Sequence, residues 1–325
     1  MMKNFISAIS VLCVGMTMLS SCQEQITAEV EPEKVTVQIS VPTADTKITG
    51  SVNESSISNY QVFIYNEEGL LEAYVQKTTP DISLECTAGS KTVAVLVNAP
   101  AITDGMTLDS LIDRTSLLSD NSAGAFVMSG MVTKTINKST TSISVQVTRL
   151  VARVKLSKLD VAFEMPQYQR QEFKVTSVYL INVPADRRYF HPNEPSLWYH
   201  KTEYTSSNGC TLIYDNMSGV AVSETAPYTA QNTFYCYPNP SSDDSFSSTW
   251  SPRHTRLVVE GTLDGKVYFY PVTLPQISSN MTYDVQLKIT RPGATGPDAE
   301  VDKFAAGVTV TVKDWETGAT VVEEI

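Results

Sequence analysis

The histidines are the first residues to weigh for metal or acid–base chemistry, and the chain has three, His191, His200 and His254. None falls in an HExxH or similar spacing that would place two ligands on one face, so no metal site is expected. The sequence has no GxSxG elbow, no GxGxxG or GxxxxGK[ST] phosphate loop and no DxDxDG calcium loop. The adjacent carboxylates Asp243 and Asp244 lie in the Ser-rich run PNPSSDDSFSS, which reads as a solvated loop. The expectation is a protein that is not an enzyme and uses no cofactor. The residue with a defined chemistry is Cys22. It follows the apolar run Phe5 to Leu19 in Leu19-Ser20-Ser21-Cys22, a lipobox pattern in which the thiol is acylated and becomes the first residue of the mature chain. The run is too short to be a spanning helix. Residues 1–21 therefore read as a lipoprotein signal peptide, and lipid on Cys22 as the attachment of an otherwise soluble chain to a membrane.

Cys13 leaves with the signal and Cys22 is lipidated, so Cys86, Cys210 and Cys236 remain. Their spacing makes neither a zinc site nor a disulfide framework. A Cys210 to Cys236 bridge is open in an exported protein, while the apolar strand patterns around Cys86 and Cys236 favour buried free thiols. Behind Cys22, QEQITAEVEPEK is acidic and lacks apolar periodicity, the composition of a disordered tether. It resembles the acidic stretch that accompanies surface export of lipoproteins in Bacteroidetes. With 35 acidic against 24 basic residues and a net charge of -11, the chain has no electrostatic footprint for nucleic acid.

The elements that must position any site are short alternating strands, separated by Gly, Pro, Asn, Asp and Ser at β-sandwich spacing. Tyr60-QVFIY-Asn66, Thr92-VAVLV-Asn98 and Ser142-ISVQV-Thr148 are examples. Leu257-VVEGTL-Asp264-Gly265-Lys266-VYFYPV predicts a hairpin, because Asp-Gly tolerates the positive φ angles of a type I′ turn. One helix is expected in Asp104-GMTLDSLIDRTSLL, with Asp104 as cap and Leu108, Leu111 and Ile112 on one face. Arg149-LVARVKLSKLDV marks a boundary between domains of residues 48–148 and 149–325. Between Arg187 and Ser251 the pattern loosens into loops carrying Trp198, Tyr199, Tyr204, Tyr228 and Trp250. Such aromatics more often pin loops than bind sugars, but a glycan-stacking platform of Trp198, Tyr199 and Trp250 is the alternative they leave open.

Two segments share one pattern. Lys34-VTVQISV-Pro42 presents Val35, Val37, Ile39 and Val41 on one face, and Gly307-VTVTVKDW-Glu316 presents Val308, Val310 and Val312. A period of two lets either fill a groove with one face, and both also suit ordinary strands of a sheet.

Val93-AVLVNAP-Ala101, Phe126-VMSG-Met131, Arg149-LVARVKL, Asn232-TFYCYPN-Pro240 and the tail from Met281 to Glu316 occur in an order that resembles the Bacteroidetes fimbrillins, subunits of type V pili built from surface lipoproteins. The resemblance implies a mainly β fold of two tandem transthyretin-like β-sandwich domains, with a short helix and a C-terminal strand appendage. It also implies assembly by donor-strand exchange. An arginine- or lysine-specific surface protease would cut after Lys47, ahead of Ile48, releasing residues 22–47 as the acidic tether with its removable first strand. Val35, Val37, Ile39 and Val41 would then be the placeholder in an acceptor groove. Val308, Val310, Val312 and Trp315 would be the donor strand, reaching the next subunit through the Pro- and Gly-containing linker that starts at Arg291. The best-known members have Arg where this chain has Lys47, and a cut at Lys34 would leave the strand in place. The implied partners are copies of the chain or related subunits, the protease, and the outer membrane through the lipid before cleavage. The implied location is the cell surface, in a fimbrium, with a role in adhesion. A tip or anchor subunit, or a monomeric glycan-binding surface lipoprotein, are the alternatives.

Overall fold

The computed structural model describes residues 33–42, 54, 56–103, 106–192, 194–200, 210–245, 250–299, 306–315 and 320–324. These residues belong to one compact unit. The chain is mainly β. Its first part contains β1 (Lys34–Ser40), β2 (Tyr60–Tyr65), β3 (Leu71–Lys77), β4 (Ile82–Thr87), β5 (Gly89–Val97), α1 (Leu108–Ile112), β6 (Thr115–Leu117), β7 (Met128–Ile136), β8 (Ser142–Ser144) and β9 (Thr148–Arg149). The second contains β10 (Ala152–Val161), β11 (Phe173–Ile181), β12 (Val183–Pro184), β13 (Asp186–Arg188), β14 (Trp198–Tyr199), β15 (Tyr214–Val222) and β16 (Asn232–Cys236). It closes with β17 (Arg256–Leu263), β18 (Lys266–Thr273), β19 (Met281–Ile289), β20 (Ala306–Asp314) and β21 (Thr320–Glu324).

A three-stranded sheet in the order β4-β1-β8 faces a five-stranded sheet in the order β3-β2-β5-β7-β9. Between them lies a core of Val35, Val37, Ile39, Val62, Ile64, Val93, Val95 and their neighbours. Strands β2 and β5 are buried on both faces. Their alternate residues Phe63, Tyr65, Ala94 and Leu96 turn the other way, into a larger core. That larger core is also filled by the sheets β16-β10-β19-β20-β21 and β15-β11-β17-β18. This double burial explains the near-continuous apolar runs of β2 and β5, where a half-solvated strand would alternate. The chain passes from the first pair of sheets to the second through Leu150 and Val151, both buried.

The Asp264-Gly265 hairpin forms as its spacing predicts, with φ of 51° and 71° at the two turn residues and Leu263 paired with Lys266. The helix departs from expectation. It is five residues long and is capped by Thr107, whose side chain accepts a hydrogen bond from the Ser110 backbone N–H at 3.3 Å. Asp104 lies outside the described residues. Leu111 is fully buried, and the chain leaves the helix at Asp113 so that Thr115–Leu117 can pair with Asp186–Arg188. Among the described residues no helix is long and apolar enough to cross a membrane.

Candidate functional site

The period-two pattern of β1 is realised as a strand wedged between two others. It runs antiparallel to β4, with Val35 opposite Cys86, Val37 opposite Leu84 and Ile39 opposite Ile82. It runs parallel to β8, with Ile39 beside Ile143. Val35, Val37 and Ile39 point inward and are 6%, 0% and 1% exposed, while Lys34, Thr36, Gln38 and Ser40 face solvent. Val41 packs against the same core from just beyond the strand. Among the described residues β1 is the only strand to which β4 and β8 are hydrogen-bonded in a sheet. It is the centre of its sheet rather than an edge added to it. The solvated side carries only light ties, such as Gln38 to Asp81 at 3.2 Å.

A polar cluster fixes β4 independently of β1. Glu72 of β3 accepts hydrogen bonds from the Thr87 backbone N–H at 3.1 Å, the Thr87 hydroxyl at 2.8 Å and the Lys91 ammonium at 2.8 Å. Burial alone would raise the Glu72 carboxyl. The hydrogen bonds from Lys91 and Thr87, with the Lys91 charge, outweigh it and leave the group below its ordinary value. The nearby Cys86 thiol is pushed up, chiefly by burial and then by the Glu72 charge. Cys86, Cys210 and Cys236 are free, and full burial pushes Cys236 up to about 12. None is a primed nucleophile.

The second patterned segment is docked in its own sheet. β20 pairs along its whole length with β19, from Met281 opposite Asp314 to Ile289 opposite Ala306. It carries β21 on its outer side. Val310 is fully buried, and Val308 and Val312 pack against the larger core. Trp315, directly after the strand, sits in a cage of named contacts. Its indole N–H donates to Glu54 at 3.0 Å, its backbone N–H donates to the Asn280 carbonyl at 3.1 Å, and its ring lies 5.6 Å from Phe126 and 5.8 Å from Tyr235. The guanidinium groups of Arg149 and Arg153 stand 4.9 and 4.7 Å from the same ring. Arg153 also pairs with Glu54, whose other oxygen accepts the Tyr235 hydroxyl at 2.6 Å. Burial first, then the Glu54 carboxylate, drives the Tyr235 phenol far above its ordinary value.

The linker before β20 is more firmly held than its Pro and Gly content predicts. Ala294 exchanges both backbone hydrogen bonds with Phe269, at 2.8 and 2.9 Å. Tyr270 donates to the Arg291 carbonyl at 2.9 Å. Asp298, 6% exposed, pairs with the buried Arg253, and its carbonyl accepts from Arg256 at 3.1 Å. Gly293 is required here by contact, since a Cβ would come within 2.4 Å of the Phe269 carbonyl oxygen. Residues 291–298 thus belong to the body, and any hinge for β20 falls after Asp298.

Cys22, Lys47 and Ile48 lie outside the described residues. The segment after them reappears at Glu54 and is tied down by Ser56, whose N–H donates to the Gly124 carbonyl at 2.9 Å. Trp198 and Trp250 do meet, with ring centres 5.7 Å apart at 61°, and His200 stacks on Trp250 at 4.8 Å. All three are half-buried. Tyr199 packs against the larger core instead. Asp243 caps Ser245, while Asp244 pairs with Arg256 at 3.0 Å, so the two carboxylates serve loop structure. Among the described residues no group of His, Cys, Asp and Glu is arranged to hold a metal.

Glu54 was invisible to pattern reading, since it stands in a polar stretch with no periodicity, 261 residues from Trp315. The strand β15 was also missed within the loop region. Asn216, Ser218 and Gly219 interrupt its alternation, and the last two take φ of 51° and 78° where its pairing with β11 shifts register.

Residues 34–158, from β1 into β10, match the family model of the major fimbrial subunit protein, FimA. That match covers the first part of the fold and marks a likeness of this segment to the family. The whole chain is similar in structure to a candidate cell adhesion protein from Parabacteroides distasonis. That likeness has a TM-score of 0.63 at 17% identity over 89% of this chain and 98% of the other. A candidate cell adhesion protein from Bacteroides eggerthii gives 0.61 at 19% identity, over 88% and 96%. The fimbrilin FimA from Porphyromonas gingivalis gives 0.59 at 15% identity, over 89% and 98%. At these identities the structures speak for the fold, which they share along nearly its whole length. No match was found among curated proteins.

Proposed function

We propose that the chain is a polymerising subunit of a cell-surface fimbria, exported as an outer-membrane lipoprotein through Cys22, matured by proteolysis between Lys47 and Ile48, and assembled by donor-strand exchange. In this scheme β1 is the placeholder and β20, through Val308, Val310, Val312 and Trp315, is the donor. Adhesion is the role of the resulting fibre. The single observation that carries the proposal is the position of β1 as the sole sheet partner of both β4 and β8 among the described residues, with three side chains sunk in the core. Its loss re-exposes three apolar side chains at roughly 1.5 to 3 kcal/mol each, about 5 to 9 kcal/mol in all, and leaves two strands with unpaired backbone groups. A strand of the same alternation from another copy restores both. The lipid and the filled slot keep the exported precursor monomeric at the membrane, and cleavage releases it from both.

The test is to treat purified precursor with trypsin and run the product unheated in SDS. Ladders of SDS-resistant multimers are expected, and a monomer that stays monomeric after complete loss of residues 22–47 would overturn the assignment.

A second reading is favoured by the meeting of Trp198, Trp250 and His200, which puts three half-buried rings in one surface cluster. In that reading the chain is a monomeric glycan-binding lipoprotein. Glycan-array binding abolished by Trp198→Ala, with no ladder formation, would select it.

A further inference from the structure

Two segments that strand exchange has to separate are joined in the unassembled chain by one carboxylate. Glu54 belongs to the connection between β1 and β2, the same connection that holds Lys47 and Ile48, and is six positions beyond Ile48. Trp315 closes the far end of β20. The Glu54 carboxylate accepts the Trp315 indole N–H at 3.0 Å and the Tyr235 hydroxyl at 2.6 Å, and it pairs with Arg153. Its backbone carbonyl accepts a long hydrogen bond from Arg149 at 3.5 Å. Arg149 and Arg153 both stand against the Trp315 ring, and Arg153 further donates to Thr282 of β19 at 2.9 and 3.1 Å.

We infer that Glu54 is a latch on the tail, holding Trp315 in its own sheet while the connection to β1 is intact, so that a subunit whose slot is still filled does not donate its strand. The inference rests on the strand-exchange reading above. Removing the carboxylate leaves the Trp315 N–H and the Tyr235 hydroxyl without their acceptor and strips Arg153, 6% exposed, of its ion partner. Unmet buried donors are costly, so the closed position of the tail loses its advantage. In the precursor Glu54 follows β1 along the same chain, and just beyond it the Ser56 N–H is bound to the Gly124 carbonyl. A cut after Lys47 followed by departure of β1 would leave Glu54 six positions from a free chain end. One proteolytic event then both opens the acceptor and loosens the donor.

An uncleaved chain can add to a growing fibre only by donating, because its own slot is filled, so it acts as a chain terminator. Trypsin-matured protein, with the protease then inhibited, is mixed with fluorescently labelled uncleaved precursor, wild-type or Glu54→Ala. Ladder labelling and ladder length are read together. Wild-type precursor is expected to label the ladders weakly. Glu54→Ala precursor is expected to label them at least about tenfold more, the factor that one lost charge-assisted hydrogen bond corresponds to, and to shorten them. Glu54→Gln, which keeps the shape of the side chain, and Tyr235→Phe are expected to fall between, and they carry the test if Glu54→Ala does not fold. Ladders labelled equally by wild-type and all three variant precursors would sink the latch alone. Matured protein that forms no ladders would sink the strand-exchange reading and the latch with it.

Discussion

Ile39 of β1 lies beside Ile143 of β8 in parallel register, and each is 1% exposed. Across the strand Ile39 also faces Ile82 of β4, which is fully buried. One side chain therefore closes the seam between two strands that share no hydrogen bond with each other among the described residues. Ile39→Ala should destabilise the precursor by about 2 to 5 kcal/mol through lost transfer energy and a residual cavity. Gln38→Ala, on the solvated side of the same strand, should change stability by less than about 0.5 kcal/mol. Urea denaturation of the two variants separates the cases, and equal effects would mean that β1 is not seated as described.

Maturation gives a second expectation. N-terminal sequencing of trypsin-treated protein that has entered ladders should begin at Ile48, and Lys47→Ala should abolish ladder formation while leaving the precursor folded. A Lys47→Ala chain that polymerises as well as wild type would place the cut elsewhere. Assembled protein still carrying acylated Cys22 would mark an anchor subunit instead.

The Glu72 cluster predicts an acid dependence. Its folded-state pKa lies below the ordinary 4.5, so its stabilising contribution is fully present above the unfolded value and is lost as pH falls through the folded one. Glu72→Gln should cost about 1 to 3 kcal/mol at neutral pH, the scale of a hydrogen bond to a charged group. The gap between variant and wild type should close as the solution is taken below pH of about 4. Thermal melts across that range would show it, and a gap that stays constant would mean the carboxylate is not held ionised by Lys91 and Thr87.

Asp298 is the fourth case. Breaking one partner of a buried ion pair leaves the other charged and unmatched, at a cost of about 3 to 5 kcal/mol. Asp298→Ala should therefore lower stability by that order and raise hydrogen exchange in residues 291–298, where Ala294 and Phe269 exchange backbone bonds. Unchanged exchange there would show that the linker is held without the Arg253 and Arg256 contacts.

Much of this arrangement was legible in the residues because burial leaves a periodic trace. Val35, Val37 and Ile39 alternate with polar neighbours since one face of β1 is solvated, and Asp264-Gly265 announces its own turn. The segments of β2 and β5, expected as alternating strands, instead carry near-continuous apolar runs because both of their faces are covered. What escaped reading depends on distant partners. Arg291-PGATGPDA has the composition of a flexible spacer, yet it is pinned by Tyr270, Phe269, Arg253 and Arg256, none adjacent in sequence. Glu54 looks like any acidic loop residue until Tyr235 and Trp315 are brought to it. Thr107 caps the helix because it directly precedes Leu108, the first residue of the apolar face.

The mixed pairing of β1, antiparallel to β4 and parallel to β8, makes its slot sensitive to direction. A replacement entering head-first or tail-first would meet different ladders of donors and acceptors on its two sides, and only one orientation reproduces both. In the proposed fibre every joint built on that slot would then point the same way. A filament assembled in that way would have two unlike ends, one offering an open slot and the other an unclaimed tail, so growth and capping at its extremities would be chemically separate events.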